Sequence, residues 1–122
     1  MEYTFSMLND RLAVKQAELS KKRAERPPAR QKRDTARRIL RAEYKRLWLI
    51  IKTANPGITA TELKVQVEGD DGYQVAWAEE ILAQAAYEKI DVETQNLEDE
   101  IATLEDMGNN LSREAKLERY GT

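Results

Sequence analysis

The sequence predicts an all-α protein: an antiparallel helical hairpin with a long C-terminal heptad (coiled-coil) helix and a short helix at the turn end. Three observations carry this reading. Apolar residues recur at helical spacing along most of the chain. From Ala83 the positions Tyr87, Ile90, Thr94, Leu97, Ile101, Leu104, Gly108, Leu111 and Ala115 step by four and three in turn, as a heptad seam does. Charge is also divided along the chain: residues 11–52 hold 15 bases and 4 acids, and residues 66–106 hold 13 acids and one base, Lys89. Two such halves attract each other when the chain folds back.

The 122 residues suit a single helical domain, 1–122. A first basic helix is expected over 7–26, with a thin stripe of Leu8, Leu12 and Leu19. Pro27 and Pro28 then interrupt it, because proline disfavours helix at the residue before it and suits the opening turn of a new one. A second basic helix is expected over 29–53, its face drawn by Ala36, Leu40, Tyr44, Leu47 and Ile51 and widened by Ile39 and Trp48. Its "LWLII" run, 47–51, is the most hydrophobic stretch and is expected to be buried.

"NPG", 55–57, reads as a turn, with glycine accepting a positive φ. A short helix follows over 59–68. Thr59 and Glu62 make a capping box, Ile58 and Leu63 a hydrophobic staple, and Gly69 closes the element. After "GDDG" a long acidic helix is expected over 72–119, capped by Asp71, with a kink at 108–110 where "GNN" weakens it. Trp48, Trp77, Ile51, Ile58, Leu63 and Val67 are expected to meet in a knot at the turn end.

Composition narrows the chemistry. Cysteine and histidine are absent, so there is no disulfide, no thiolate zinc site and no histidine general base. No phosphate-cradling glycine loop is present either. The expectation is no enzyme, no catalytic residue, no cofactor and no metal site; acidic runs such as Glu98 to Glu100 read as a solvated helix face. No stretch reaches a membrane span or resembles a signal peptide, so a cytoplasmic location without membrane contact is expected.

Two charged surfaces are candidate sites. The stretch "KKRAERPPARQKRDTARR", 21–38, holds nine bases. Lys22, Arg23, Arg26, Arg30, Lys32, Arg33, Arg37, Arg38 and Arg41 form a candidate nucleic-acid surface, since phosphates call for this density and arginine contacts them bidentately. The alternative use of the same residues is pairing with the acidic helix. That helix offers a second candidate, a partner face of Glu88, Glu98, Asp99 and Glu105, whose spaced carboxylates imitate a nucleic-acid backbone. The seam residues Tyr87, Ile90, Leu97, Ile101, Leu104 and Leu111 need a partner helix, either the basic arm or another copy, and a homo-oligomer is expected.

The segments "TELKVQVEGDDGY", "AAYEK" and "LSREAK" resemble small helical bacteriophage accessory proteins of replication and recombination modules. In shape the expected fold is more distantly similar to phage recombination mediator proteins, which are helical, oligomeric and bind single-stranded DNA. The resemblance implies a non-enzymatic, oligomeric accessory protein in the cytoplasm of an infected bacterial host. Its basic arm would contact single-stranded DNA or a recombination nucleoprotein. Two alternatives stand beside this: an anti-CRISPR-like inhibitor of a host defence nuclease, acting through the acidic face, and a structural adaptor that binds only protein.

Overall fold

In a computed structural model of the chain, residues 4–120 are described. They form three helices: α1, Phe5–Ala54; α2, Ala60–Glu68; and α3, Asp71–Tyr120. No strand occurs among the described residues. Contacts divide the chain into two compact units. Unit 1 joins residues 1–26 to 90–122, and unit 2 is residues 27–89.

In each unit α1 packs antiparallel on α3, because rising numbers on one meet falling numbers on the other. In unit 1 Lys15 pairs with Glu100, Lys22 with Glu93 and Arg26 with Asp91. Within unit 2 Arg33 lies over Tyr87, Arg37 meets Glu80 and Tyr44 meets Tyr73. The hairpin expected from the charge division is therefore present.

The expected break between two basic helices is absent: α1 is one 50-residue helix with Pro27 and Pro28 inside it. Each proline removes one intrahelical donor, leaving the carbonyls of Arg23 and Ala24 without their usual partners. Arg23, Ala24, Pro27 and Pro28 are all exposed, so water can take up those carbonyls. Contacts to α3 on both sides of the prolines supply what the local sequence lacks. Residues 108–110 likewise remain helical within α3, and a Cβ placed on Gly108 would meet nothing within 4 Å.

The core of unit 1 is Leu19, Leu97 and Ile101, with Leu12 packed against it. Thr94 is 3% exposed, and its hydroxyl donates to the Ile90 carbonyl one turn back at 2.7 Å, so this buried polar group is satisfied within its own helix.

In unit 2 the link between α1 and α3 is built as capping chemistry dictates. The Ile58 amide donates to the Asn55 carbonyl at 3.1 Å, which closes the turn. Gly57 does not use the left-handed region, so the turn needs glycine less than the sequence suggests. Thr59 caps α2, its side chain accepting from the Glu62 amide at 3.2 Å. Asp70, not Asp71, caps α3: its Oδ2 accepts from the Tyr73 amide at 3.1 Å. The Gly69 amide closes α2 on the Val65 carbonyl and the Asp70 amide bonds back to Val67, so Asp70 ends one helix with its backbone and opens the next with its side chain. A Cβ on Gly72 would lie 3.2 Å from the capping Asp70 Oδ2 and 3.3 Å from a Glu43 carboxylate oxygen of α1.

Ile58, Leu63 and Val67 are buried, as is Leu47, but the tryptophans expected with them are not. Trp48 is 40% exposed and Trp77 49%. Leu49 and Ile50 of the "LWLII" run are also exposed. A helix turns 100° per residue, so α1 can point Leu47 and Ile51 inward only by turning Trp48, Leu49 and Ile50 aside. Two helices and a nine-residue α2 offer no third layer to cover those flanks.

Candidate nucleic-acid interface

The nine basic residues singled out from the sequence fall into two groups. Four reach carboxylates of α3. Lys22 pairs with Glu93 and Glu25; Arg23 reaches Glu98 at 3.2 Å; Arg26 reaches Asp91 at 2.8 Å. Arg37 bridges two residues of α3, its Nε to Glu80 at 3.3 Å and its Nη2 to Gln84 at 2.6 Å. Arg33 is also occupied. Its side chain is 14% exposed, it pairs with Asp34 at 3.0 Å, and its guanidinium lies 4.3 Å from the centre of the Tyr87 ring.

The ion pairs leave their mark on the lysines. The hydrogen bond from Lys22 to Glu93 raises its pKa above the ordinary 10.5, and the bond from Lys15 to Glu100 does the same for Lys15. In unit 2 the Arg46 guanidinium holds the Glu43 carboxyl below its ordinary 4.5. These pairs are partly exposed and individually weak. A carboxylate already beside each base nevertheless repels an incoming phosphate, which is why these residues are poor contacts.

Arg30, Lys32, Arg38 and Arg41 are exposed and make no ion pair with the described residues. Three of them share a face of α1. At 100° per residue, Arg30, Arg38, Arg41, Lys45, Trp48 and Lys52 fall within an arc of about 80°. Only Asp34 interrupts this arc with negative charge, and it is paired with Arg33. Lys32 lies on a different side of the helix, in an apolar groove. The stretch 41–52 is the densest part of the arc: Arg41, Lys45, Trp48 and Lys52 follow at spacings of four, three and four.

Trp48, Lys45 and Lys52 were not among the candidates read from the sequence. The helical spacing from Arg41 was visible there, but the hydrophobic run around Trp48 directed it to the core. Trp77 adds to the same flank. It lies three residues before Glu80 and seven before Gln84, so it projects from the side of α3 that meets Arg37.

The acidic candidates divide similarly. Glu98 is neutralised by Arg23. Glu88 and Asp99 accept from the side-chain amides of Gln84 at 2.7 Å and Gln95 at 3.1 Å. Glu105 is exposed and makes no ion pair with the described residues. Of the heptad positions, Leu97, Ile101 and Leu104 are buried, while Tyr87, Ile90 and Leu111 are half-buried. Ala115 is exposed. No group of acids among the described residues is arranged to hold a metal ion, and none of the described helices is long and apolar enough to cross a membrane.

The fold defines an all-α helical hairpin with one basic, tryptophan-bearing face. No family model, curated protein or solved structure matches the chain.

Proposed function

We propose that this is a non-catalytic accessory protein that binds single-stranded DNA, free or within a recombination nucleoprotein, through the outer face of α1. The observation that carries the reading is the exposed Trp48 in line with Arg41, Lys45 and Lys52. Phosphates are met by the basic residues, Arg38 included. The indole offers a flat surface on which an unpaired base stacks, an interaction worth roughly 1–3 kcal/mol per base. A duplex hides its base faces, so the tryptophan favours the single strand. Unit 2 holds eleven bases and nine acids, against nine and thirteen in unit 1, so the proposed face belongs to the more positive unit.

The acidic helix supports a nucleic-acid mimic less well. A mimic needs an unbroken series of charges, and Arg23, Lys22 and Lys15 neutralise Glu98, Glu93 and Glu100.

Fluorescence titration with an oligothymidylate tests the reading. In a Trp77→Phe background Trp48 is the sole indole. Its emission falls on stacking, and the fitted affinity drops as salt rises. Unchanged emission together with no complex at low salt overturns the reading.

A further inference from the structure

We infer that Trp77 of α3 is a second stacking platform, and that one single strand crosses obliquely from α3 to α1 with a base on each indole. This second platform presupposes the stacking role proposed for Trp48 and extends the site to another helix.

The two indoles share one side of unit 2. Arg37 of α1 donates to Gln84 of α3 at 2.6 Å, and this bond marks the side. At 100° per residue, Trp48 lies about 20° around α1 from Arg37, and Trp77 lies about 20° around α3 from Gln84. Trp77 is 49% exposed and Trp48 40%. Ile81, one turn after Trp77 and also exposed, continues the apolar floor.

Contacts on either side of Trp77 fix its level. Tyr73 meets Tyr44, with ring centroids 6.0 Å apart, and Glu80 meets Arg37. Trp77 lies between them, level with Leu40 and Arg41. Trp48 is therefore about 11 Å further along the helix axis. With helix axes about 9 Å apart, the indoles stand roughly 14 Å from each other. That is about four times the 3.4 Å rise between stacked neighbours in a strand. Bases on the two indoles are thus not adjacent in the strand. The nucleotides between them pass Arg41, at the level of Trp77, and Lys45, between the two levels.

The charge of α3 fits this path. Residues 88–103 hold six acids, whereas the sixteen residues 72–87 hold two, Glu79 and Glu80. Glu80 is taken up by Arg37 at 3.3 Å. Glu79 lines a groove on the other side, about 160° around α3 from Trp77. Among the described residues, the Trp77 side of this stretch therefore presents no unpaired carboxylate. An otherwise acidic helix is free of repulsion at the levels where α1 carries Arg41 and Lys45.

Fluorescence titration with an octathymidylate, beside an abasic strand of the same length, tests the second platform. In Trp48→Phe the sole indole is Trp77, and its emission falls as the octamer binds. Trp77→Leu weakens octamer binding by about fivefold or more, and Trp77→Phe, which keeps an aromatic face, restores most of it. The abasic strand carries phosphates without bases, and it binds wild type and Trp77→Leu alike. Emission that falls for Trp48 in Trp77→Phe but stays constant for Trp77 in Trp48→Phe overturns the inference and leaves the reading of Trp48 standing. An equal loss for both strands in Trp77→Leu overturns it as well, since the residue then serves the fold and not the bases. No complex with either strand at low salt overturns both.

Discussion

Leu47 and Trp48 are consecutive residues of α1 that face different media: Leu47 is 7% exposed and Trp48 is 40% exposed. The larger side chain is the more exposed of the two. Truncating each residue in turn separates stability from binding. Leu47→Ala leaves a cavity and costs about 2–5 kcal/mol, read as a lower melting temperature or denaturation midpoint. Trp48→Ala lowers the melting temperature less than Leu47→Ala does. It weakens binding of single-stranded DNA by about 1–3 kcal/mol, a factor of roughly 5 to 150. A binding loss no greater than that of Leu49→Ala, also exposed, would remove the stacking role.

The two groups of basic residues predict different salt behaviour. For single strands, log affinity falls against log salt with a slope of about −0.7 per phosphate contacted. Changing Arg38, Arg41 and Lys45 to glutamine flattens that slope by roughly two units and leaves the melting temperature in place. The triple change of Lys22, Arg23 and Arg26 to glutamine does the reverse. It removes ion pairs with Glu93, Glu98 and Asp91, lowering the melting temperature, and the salt slope stays as in wild type. Equal slopes for both triple variants would return the whole stretch to a structural role.

The pH dependence of stability has two edges, with signs set by linkage. Glu43 has its pKa lowered by the Arg46 guanidinium, so its contribution is full above the ordinary 4.5 and is lost as pH falls through the depressed folded value. Lys22 and Lys15 have pKa values raised by Glu93 and Glu100. Their contribution is full below the ordinary 10.5 and disappears as pH rises through the elevated folded value. Melting followed across pH is expected to show a plateau between these limits. Glu43→Gln removes this contribution to the acid edge. Lys22→Met with Lys15→Met removes theirs at the alkaline edge.

The buried heptad residues of unit 1 predict a graded response. Leu97→Ala or Ile101→Ala costs about 2–5 kcal/mol, because both lie in one cluster with Leu19. Thr94→Val is expected to be neutral or stabilising by thermal melting. The hydroxyl's bond goes to the Ile90 carbonyl, and removing the donor strands no buried partner. A large loss from Thr94→Val would show that the hydroxyl holds something besides its own helix.

By itself the sequence determined the hairpin, its antiparallel sense and the helical period that brings Leu97, Ile101 and Leu104 inward. Helical periodicity and opposite charge act along the chain and survive any detail of packing. The Thr59 cap was legible for the same reason, since a cap needs only residues three apart.

Tertiary structure alone decided three things. It continued α1 through Pro27 and Pro28 as one helix, because contacts to α3 on both sides outweigh two missing donors whose carbonyls face water. It turned Trp48 and Trp77 outward, because hydrophobicity marks a side chain for burial only where a second surface exists to cover it. It divided the bases into those held by Glu93, Glu98, Asp91 and Glu80 and those left exposed along Arg38, Arg41 and Lys45. Which base meets which acid depends on the register between two helices far apart in sequence, and that register is set by how their buried residues interlock.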